Sequence, residues 1–247
     1  DFSNIAFRGN SYETLEAYAR KVETRVDKKT RVETRTIISS PDELAAATLK
    51  GFTVTEDMLG NYSQTTYGRT APSRSSEETP DGLYHLHFVP KKLTREVSAV
   101  LHIEGLNNIR SATCRLGGVA ESIFLATGKT SANTVTQEFT PSNPEFSPGS
   151  PFNGTLSCEF EIFGLNVIDN NNLHLDALLV DGKTEFEGDC TNVKITENDD
   201  GTGSVTLILE ASTEKVPDVK PEGGAGSGFD VDVDGWGNEI NTDIPIN

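Results

Sequence analysis

The sequence predicts a mainly β protein built from antiparallel β-sandwiches, and three observations lead to this fold class. Apolar and polar residues alternate along residues 97–103, which gives a strand one apolar face. Runs of this kind recur at short intervals, and clusters of turn residues separate them. The Asp181-Gly182 pair lies between two such runs, a pattern typical of a β-hairpin. Together these features indicate an antiparallel sandwich.

From residue 91 onward the pattern predicts strands almost throughout. After a turn at 105–108, the return strand places Ala112, Cys114 and Leu116 inward. Further strands are predicted at residues 122–126, 134–139, 155–163, 173–180, 183–189, 193–196 and 204–210. A Gly/Pro-rich link at 217–228 precedes a last strand pair, which begins with alternating apolar residues and aspartates at 229–234.

Residues 1–90 predict a mixture of strands and short helices. Strands are expected at 2–7 and 32–36, and a helix capped by Ser11 is expected to run through Ala19. The sequence Ser40-Pro41-Asp42-Glu43 is typical of a helix start, and that helix is expected to end at Gly51. A junction at 90–92 then predicts two domains, an N-terminal one at 1–90 and a C-terminal one at 91–247.

Composition excludes several classes of function. With 21 Lys and Arg against 38 Asp and Glu, the formal charge of −17 repels nucleic acid and anionic membrane surfaces. No apolar run approaches the roughly 18 residues that cross a bilayer. Cys114 and Cys158 lie inside strand patterns and Cys190 is a third cysteine, which favours small buried side chains over a disulfide framework. The start at Asp1, without a Met or signal peptide, indicates a piece of a longer precursor.

The motifs that resemble catalytic or phosphate-binding sites lack residues or elements that such sites need. Gly128-Lys129-Thr130 resembles the end of a phosphate-binding loop, but Ile123 stands where that loop needs a glycine, and no helix is predicted to follow. None of the four histidines lies near a serine in a recognisable nucleophile elbow. A pair of catalytic carboxylates stays open as an unspecific alternative. The basic tract at 20–35 is interpreted as an exposed charged strand, with a partner-binding patch as the alternative.

Two patterns imitate metal sites. Asp230, Asp232 and Asp234 resemble the start of a calcium loop, but Asn241 stands where the bidentate Glu belongs, so an acidic strand face is the preferred interpretation. His85 and His87 share one strand face and lack identifiable further ligands. The sequence therefore predicts no enzyme, no catalytic, cofactor-binding or metal-binding residues, and no cofactor.

Five segments carry a resemblance to a known family. Residues 104–129 (EGLNNIRSATCRLGGVAESIFLATGK), 160–165 (FEIFGL) and 229–246 resemble the fimbrillin-like lipoproteins of Bacteroidales. Residues 7–19 (FRGNSYETLEAYA) and 40–59 (SPDELAAATLKGFTVTEDML) resemble the later part of that family's first domain.

The resemblance implies two transthyretin-like, Greek-key sandwich domains, exported to the outer surface as a lipoprotein. It also implies that the lipid-bearing Cys and the first strands of domain one precede Asp1, so that membrane contact would require an anchor absent from this chain. Related members form pilus shafts, tips or anchors, and shaft subunits join by strand donation. Under this mechanism residues 1–90 should expose an apolar groove or an unpaired strand edge.

The resulting hypothesis is a non-catalytic fimbrial subunit or anchor, located at the cell surface in the outer membrane or a fimbrium, that acts in adhesion and assembly. Its expected partners are other pilus subunits, joined by strand donation, and a host or bacterial surface ligand, but not nucleic acid. The first alternative is a surface carbohydrate-binding sandwich, for which Tyr62, Tyr67 and Trp236 are the candidate aromatics. The second is a hydrolase with a carboxylate pair.

Overall fold

The computed structural model describes residues 2–26, 31–48, 53, 87–166, 171–199, 201 and 205–221. In chain order the described strands are β1 (Ile5–Arg8), β2 (Glu16–Ala19), β3 (Val22–Val26), β4 (Glu33–Ile37), β5 (Ala45–Ala46), β6 (Lys91–Lys92), β7 (Arg95–Ile103), β8 (Ile109–Ala120), β9 (Ser122–Phe124), β10 (Thr134–Phe139), β11 (Asn143–Phe146), β12 (Gly154–Ile162), β13 (Leu173–Leu179), β14 (Glu185–Asp189), β15 (Thr191–Asp199) and β16 (Val205–Ser212). Within these residues a single 3-10 turn, Leu106–Asn108, is the only helical element. The prediction of a mainly β chain is therefore confirmed. None of the described segments forms a helix with the length and apolar character that a membrane crossing needs.

The described strands form four sheets. The largest has six strands in the order β14-β13-β8-β10-β4-β3, and the next has five in the order β11-β12-β7-β16-β15. A three-stranded sheet has the order β1-β2-β9, and β5 pairs with β6 alone. Most pairings are antiparallel, but β10 runs parallel to β4 and β16 runs parallel to β7. The expectation of purely antiparallel sheets is corrected at these two places, because strands from distant parts of the chain meet there side by side.

The six-stranded and five-stranded sheets share one apolar core, here called the larger core. Alternate side chains of β7, including Leu101, contact alternate side chains of β8 and β13, including Leu116 and Leu175, and all three leucines are fully buried. Phe139 and Phe160 stack between the sheets with ring centroids 4.3 Å apart. Two sheets that face each other across buried side chains of period two are typical of a β-sandwich. The transthyretin-like, Greek-key assignment stays a prediction.

A second group of buried side chains, here called the smaller core, lies beside the three-stranded sheet. Ile5 and Ala17 come from β1 and β2, and Ile37 comes from β4. Ile123 and Phe163 come from the second half of the chain. The smaller core therefore forms only when the first and second halves of the described chain meet.

The helix predicted from Ser11 to Ala19 is wrong, because its second half is strand β2. Ala17 and Ala19 alternate into the smaller core, while β2 pairs antiparallel with β1 on one side and β9 on the other. Glu16 is buried and held by Arg8 at 2.7 Å and by the hydroxyl of Ser122. Pairing with distant strands outweighs the local helix signal here.

The helix predicted to begin at Ser40 is also wrong across the described residues 40–48. The Ser40 hydroxyl accepts a hydrogen bond from the Glu161 backbone N–H at 2.8 Å, so it does not cap a helix. The backbone N–H of Leu44 donates to the Thr94 hydroxyl at 3.1 Å, and its carbonyl accepts from the Leu93 N–H at 2.7 Å. These long-range contacts use the backbone groups that a helix would pair internally.

Strand pairing crosses the junction that the sequence indicates at residues 90–92. β4 pairs with β10, and β2 pairs with β9. Residues 54–86 lie outside the described part of the chain, so the division into domains 1–90 and 91–247 stays a prediction. The described residues on the two sides of the junction are nevertheless joined through shared sheets.

Several local predictions of the second half are confirmed. β13 and β14 form the hairpin expected around Asp181-Gly182, and β10 spans the predicted residues. Cys114 is buried, Cys158 and Cys190 are half-buried, and all three cysteines are free thiols. Burial raises the pKa of Cys158 to about 11 and that of Cys190 to about 12. These thiols therefore stay protonated near neutral pH and act as small apolar side chains.

Candidate functional site

A cleft of about 540 Å³ opens at one end of the sandwich, where several strands of the five-stranded sheet begin or end. Its lining comes from the approach to β7, from β9 and the turn after it, from the segment after β12, and from β15 and β16. The apolar lining residues are Leu93, Ile123, Phe163, Leu165, Ile195, Val205 and Leu207. Ile123 and Phe163 belong to the smaller core, and Leu207 belongs to the larger one. The cleft thus lies where the two cores approach each other.

The wall that carries Leu165 is held by backbone and side-chain hydrogen bonds. The Gly164 carbonyl accepts from the Ala120 N–H at 2.9 Å, and the Asn166 N–H donates to the Gly118 carbonyl at 2.9 Å. The Thr130 hydroxyl donates to Asn166 Oδ1 at 3.0 Å. Gly164 has φ of +143°, and a Cβ at this position would lie 2.8 Å from Thr130 Cγ2. Glycine is therefore required for this wall to approach the turn.

Three of the four charged lining residues, Lys92, Arg95 and Glu197, form ion pairs along the wall, and Lys129 is the fourth. Lys92 Nζ lies 2.6 Å from Glu161 Oε1, and Arg95 Nη1 lies 3.2 Å from Glu197 Oε1. Burial lowers the pKa of Lys92, but the hydrogen bond and charge of Glu161 outweigh this effect and leave the pKa raised. The cleft therefore presents apolar side chains beside mostly neutralised charges, which suits an extended, partly apolar segment better than a small ion.

A second depression, also about 540 Å³, lies on the outer face of the six-stranded sheet and has a different character. Its lining is mainly charged, and the charges follow one row across neighbouring strands. Arg25 on β3 contacts Glu138 on β10 at 3.3 Å, and Arg115 on β8 contacts Asp176 on β13 at 2.8 Å. Glu187 on β14 continues the row.

His174 is the buried member of this charged face. Its Nδ1 lies 2.8 Å from Asp189 Oδ1, and its Nε2 lies 3.3 Å from Glu187 Oε1 and 3.6 Å from Asp176 Oδ1. The Asp176 carboxylate raises the pKa of His174 against the opposing effect of burial, and together with Asp189 it brings the pKa to about 9. Ligand atoms of His174, Asp176 and Glu187 all lie within 4.8 Å of one another, so these residues could hold a metal ion.

The structure places the motifs that the sequence analysis tested at separate locations. Gly128, Lys129 and Thr130 line the cleft, and they lead into a β-bridge and strand β10, whereas a phosphate loop leads into a helix. His87 is exposed, next to the start of β6. The described parts of the basic tract 20–35 are exposed, and they form the paired strands β3 and β4 where one exposed strand was predicted. Outside the described residues lie His85, the aspartates 230, 232 and 234, and the aromatic candidates Tyr62, Tyr67 and Trp236.

The sequence analysis singled out neither the apolar lining of the cleft nor the His174 group. The cleft has no local signal, because its walls are strand ends that meet only after folding. The His174 group does have one. His174 and Asp176 alternate on one strand, Glu187 and Asp189 alternate on the next, and the Asp181-Gly182 turn lies midway between them. A hairpin centred on that turn places His174 opposite Asp189 and Asp176 opposite Glu187.

Comparison with known proteins gave one family and a distant structural likeness. Residues 1–140 match the family described as "Domain of unknown function (DUF5119)". A crystal structure described as "a putative adhesin from Bacteroides ovatus ATCC 8483" is similar to this chain at 15% identity with a TM-score of 0.44. The match covers 76% of this chain and 61% of that protein. The search of curated proteins found no match.

Proposed function

The chain belongs to the DUF5119 family of domains of unknown function, and we propose that this member is a non-catalytic fimbrial subunit or anchor at the cell surface. In this role it acts in adhesion and assembly, and its cleft receives a strand from an adjoining subunit. The observation that carries the proposal is the apolar cleft beside the edge of the five-stranded sheet. The resemblance of residues 104–129 and 160–165 to fimbrillin-like lipoproteins supports the same role.

The edge next to the cleft is strand β15. Among the described strands, β15 pairs only with β16, so its other side is the edge of the five-stranded sheet. β15 also contributes Ile195 and Glu197 to the cleft lining. A strand added along this edge would gain backbone hydrogen bonds from β15 and would place alternate side chains against Ile195 and its neighbours. The free edge of β15 beside the cleft thus supports the proposed strand donation.

The position of the cleft differs from the one expected for strand donation. An apolar groove or an unpaired strand edge was expected within residues 1–90. Among the described strands, β1 and β3 do end their sheets, whereas the residues that line the cleft run from Lys92 to Leu207. The proposal therefore assigns the receiving groove to the second half of the chain. The paired charges of Lys92 and Arg95 support a binding role over catalysis, because each faces a carboxylate of this same chain.

A site-specific crosslink tests the proposed groove. A photo-crosslinking residue at Ile195, in the cells that make the protein, should give a covalent adduct with a strand of the adjoining fimbrial subunit. Ile208 provides the matched control, because it is also half-buried but lies on β16 outside the cleft lining. Adducts at position 208 alone, or none at position 195 in fimbriated cells, would contradict the proposal.

A second experiment tests the surface role itself. Deleting the gene should reduce the number of fimbriae per cell in electron micrographs, and the protein should be cleaved when intact cells are treated with protease. Restoring the wild-type gene should recover fimbriae, whereas restoring Ile195→Asp should not. Normal fimbriae in the deletion strain, or a protein fully protected in intact cells, would refute the proposed role.

A further inference from the structure

We propose that His174, Asp176 and Glu187 form a binding site for a divalent transition-metal ion of the zinc class on the outer face of the six-stranded sheet. The proposal is independent of the fimbrial role, because the site lies on another face from the cleft and shares no residue with it. Imidazole nitrogen with two carboxylate oxygens is a donor set that zinc and its neighbours accept, whereas calcium and magnesium prefer oxygen alone.

The distances in the group match a coordination sphere. Around a tetrahedral zinc ion with bonds of about 2.0–2.2 Å, neighbouring ligand atoms lie about 3.3–3.6 Å apart. The Nε2 atom of His174 lies 3.3 Å from Glu187 Oε1 and 3.6 Å from Asp176 Oδ1. The three ligand atoms together fit within 4.8 Å. A bound tetrahedral ion would draw the two carboxylate oxygens to the same spacing, and water would supply the remaining position.

An independent observation is the buried ring nitrogen that faces these carboxylates. His174 is only 8% exposed, and Nε2 is a buried atom without a hydrogen-bond partner in the described structure. The nearest carboxylate oxygens, Glu187 Oε1 at 3.3 Å and Asp176 Oδ1 at 3.6 Å, lie at ion-pair distance from Nε2 but outside hydrogen-bonding geometry. An unsatisfied buried polar atom is costly, and a metal ion between Nε2 and the two carboxylates would remove that cost.

The other ring nitrogen is fixed in the way that metal-binding histidines usually are. Nδ1 lies 2.8 Å from Asp189 Oδ1, and because a carboxylate only accepts, Nδ1 is the donor. Metal binding requires Nε2 to release its proton, after which its lone pair is directed at Asp176 and Glu187. Arg115 holds the second oxygen of Asp176 at 2.8 Å and leaves Oδ1 facing the histidine. Asp189 and Arg115 thus orient His174 and Asp176, two of the three proposed ligands.

Charge and access also favour a cation. Among the described groups, the carboxylates of Asp176, Glu187 and Asp189 outnumber the cations of Arg115 and His174, so the group is negative before an ion enters. Asp176 and Glu187 are half-buried and line the depression on the sheet face, which gives an ion a path from solvent. Their position on the paired strands β13 and β14 fixes the ligand spacing through the hairpin register.

The test uses the full chain, freed of metal and titrated with Zn²⁺. Long-range proton–nitrogen NMR of the histidine rings should show the Nε2 signal of His174 moving to a metal-coordinated position as Zn²⁺ is added. His174→Ala identifies that signal among the four histidines. If Nε2 stays protonated at saturating Zn²⁺, the group is an ion pair around an imidazolium and the proposal is overturned.

Calorimetry with matched variants separates this site from any other. Glu187→Gln keeps the side-chain size and removes one ligand, so Zn²⁺ affinity at this site should fall at least tenfold. Asp189→Asn disturbs only the outer partner and should weaken binding by about 10–100-fold. Glu185→Gln, on the same strand but outside the group, should leave affinity within twofold. Equal affinity of the wild-type chain and Glu187→Gln would overturn the proposal.

Discussion

The larger and smaller cores differ in how far apart along the chain their residues lie. The larger core is formed entirely by residues 97–216, mostly at alternate positions of neighbouring strands. The smaller core combines Ile5 and Ile37 from the first 48 residues with Ile123 and Phe163 from much later. Polar contacts such as Ser40 with Glu161 join the same two parts of the chain. The smaller core therefore depends on contacts between residues that are far apart in the chain. We expect its local unfolding to require less free energy than unfolding of the larger core.

The largest expected effect comes from a cavity in the larger core. Leu101→Ala removes a fully buried side chain at the centre of β7 and should lower the free energy of unfolding by about 2–5 kcal/mol. Urea denaturation of the full chain measures this loss. Val100→Ala, at the adjacent half-exposed position, is the control and should cost clearly less. Equal costs at the two positions would contradict the assignment of the core face.

A cavity in the smaller core should act more locally. Ile37→Ala removes a fully buried side chain where β4 meets β10. Amide hydrogen exchange should accelerate in β1, β2 and β4, while β7 and β16 keep most of their protection, because the larger core needs none of these residues. A uniform acceleration across both groups of strands would show that the two cores open as one unit.

An ion pair that joins the two parts of the chain should contribute less. Arg35 contacts both carboxylate oxygens of Glu121, whose side chain is only 6% exposed. Arg35→Gln leaves that carboxylate with Asn133 as its remaining described side-chain donor, so stability should fall by about 1–3 kcal/mol. Thermal unfolding measures the change, and the exposed Lys194→Gln is the control. Equal thermal stability of the two variants would show that the ion pair adds nothing to the contact between the two parts of the chain.

The smallest effect concerns pH. The Asn4 backbone N–H donates to Asp42 at 2.7 Å and lowers the pKa of this carboxyl, with a further contribution from Ser3. A lowered pKa means that the contact stabilises the folded chain above the usual Asp value and is lost as pH falls through the lowered value. The NMR shift of the Asn4 amide should titrate with a midpoint below about 3.9. Asp42→Asn should abolish the titration, and a midpoint above 3.9 would contradict it.

The difference between the two cores also explains which strands could be predicted from the sequence. β7, β8, β10 and β13 follow the period-two pattern, because their side chains bury against sheets that the same half of the chain supplies. Residues 11–19 and 40–48 carry local helix signals. In the structure, however, the first segment pairs with β1 and β9, and the second forms a hydrogen bond with β12. The local helix signals therefore failed where pairing with other strands, some of them more than a hundred residues away, replaced helical hydrogen bonds.

The candidate sites follow the same rule. The row of His174, Asp176, Glu187 and Asp189 could have been derived by pairing residues about the Asp181-Gly182 turn. The cleft could not, because its lining joins strand ends that are brought together only by the packing of several sheets.

The parallel pairings set the order in which this chain can fold. The hydroxyls of Thr36 and Thr136, a hundred residues apart, meet at 2.6 Å where β4 joins β10, and β7 lacks its parallel neighbour until β16 has been made. During synthesis one edge of β4 and one edge of β7 must therefore wait for strands that are made later. Contacts of such long sequence separation slow folding, so the two sheets stay open along these edges until β10 and β16 have been made.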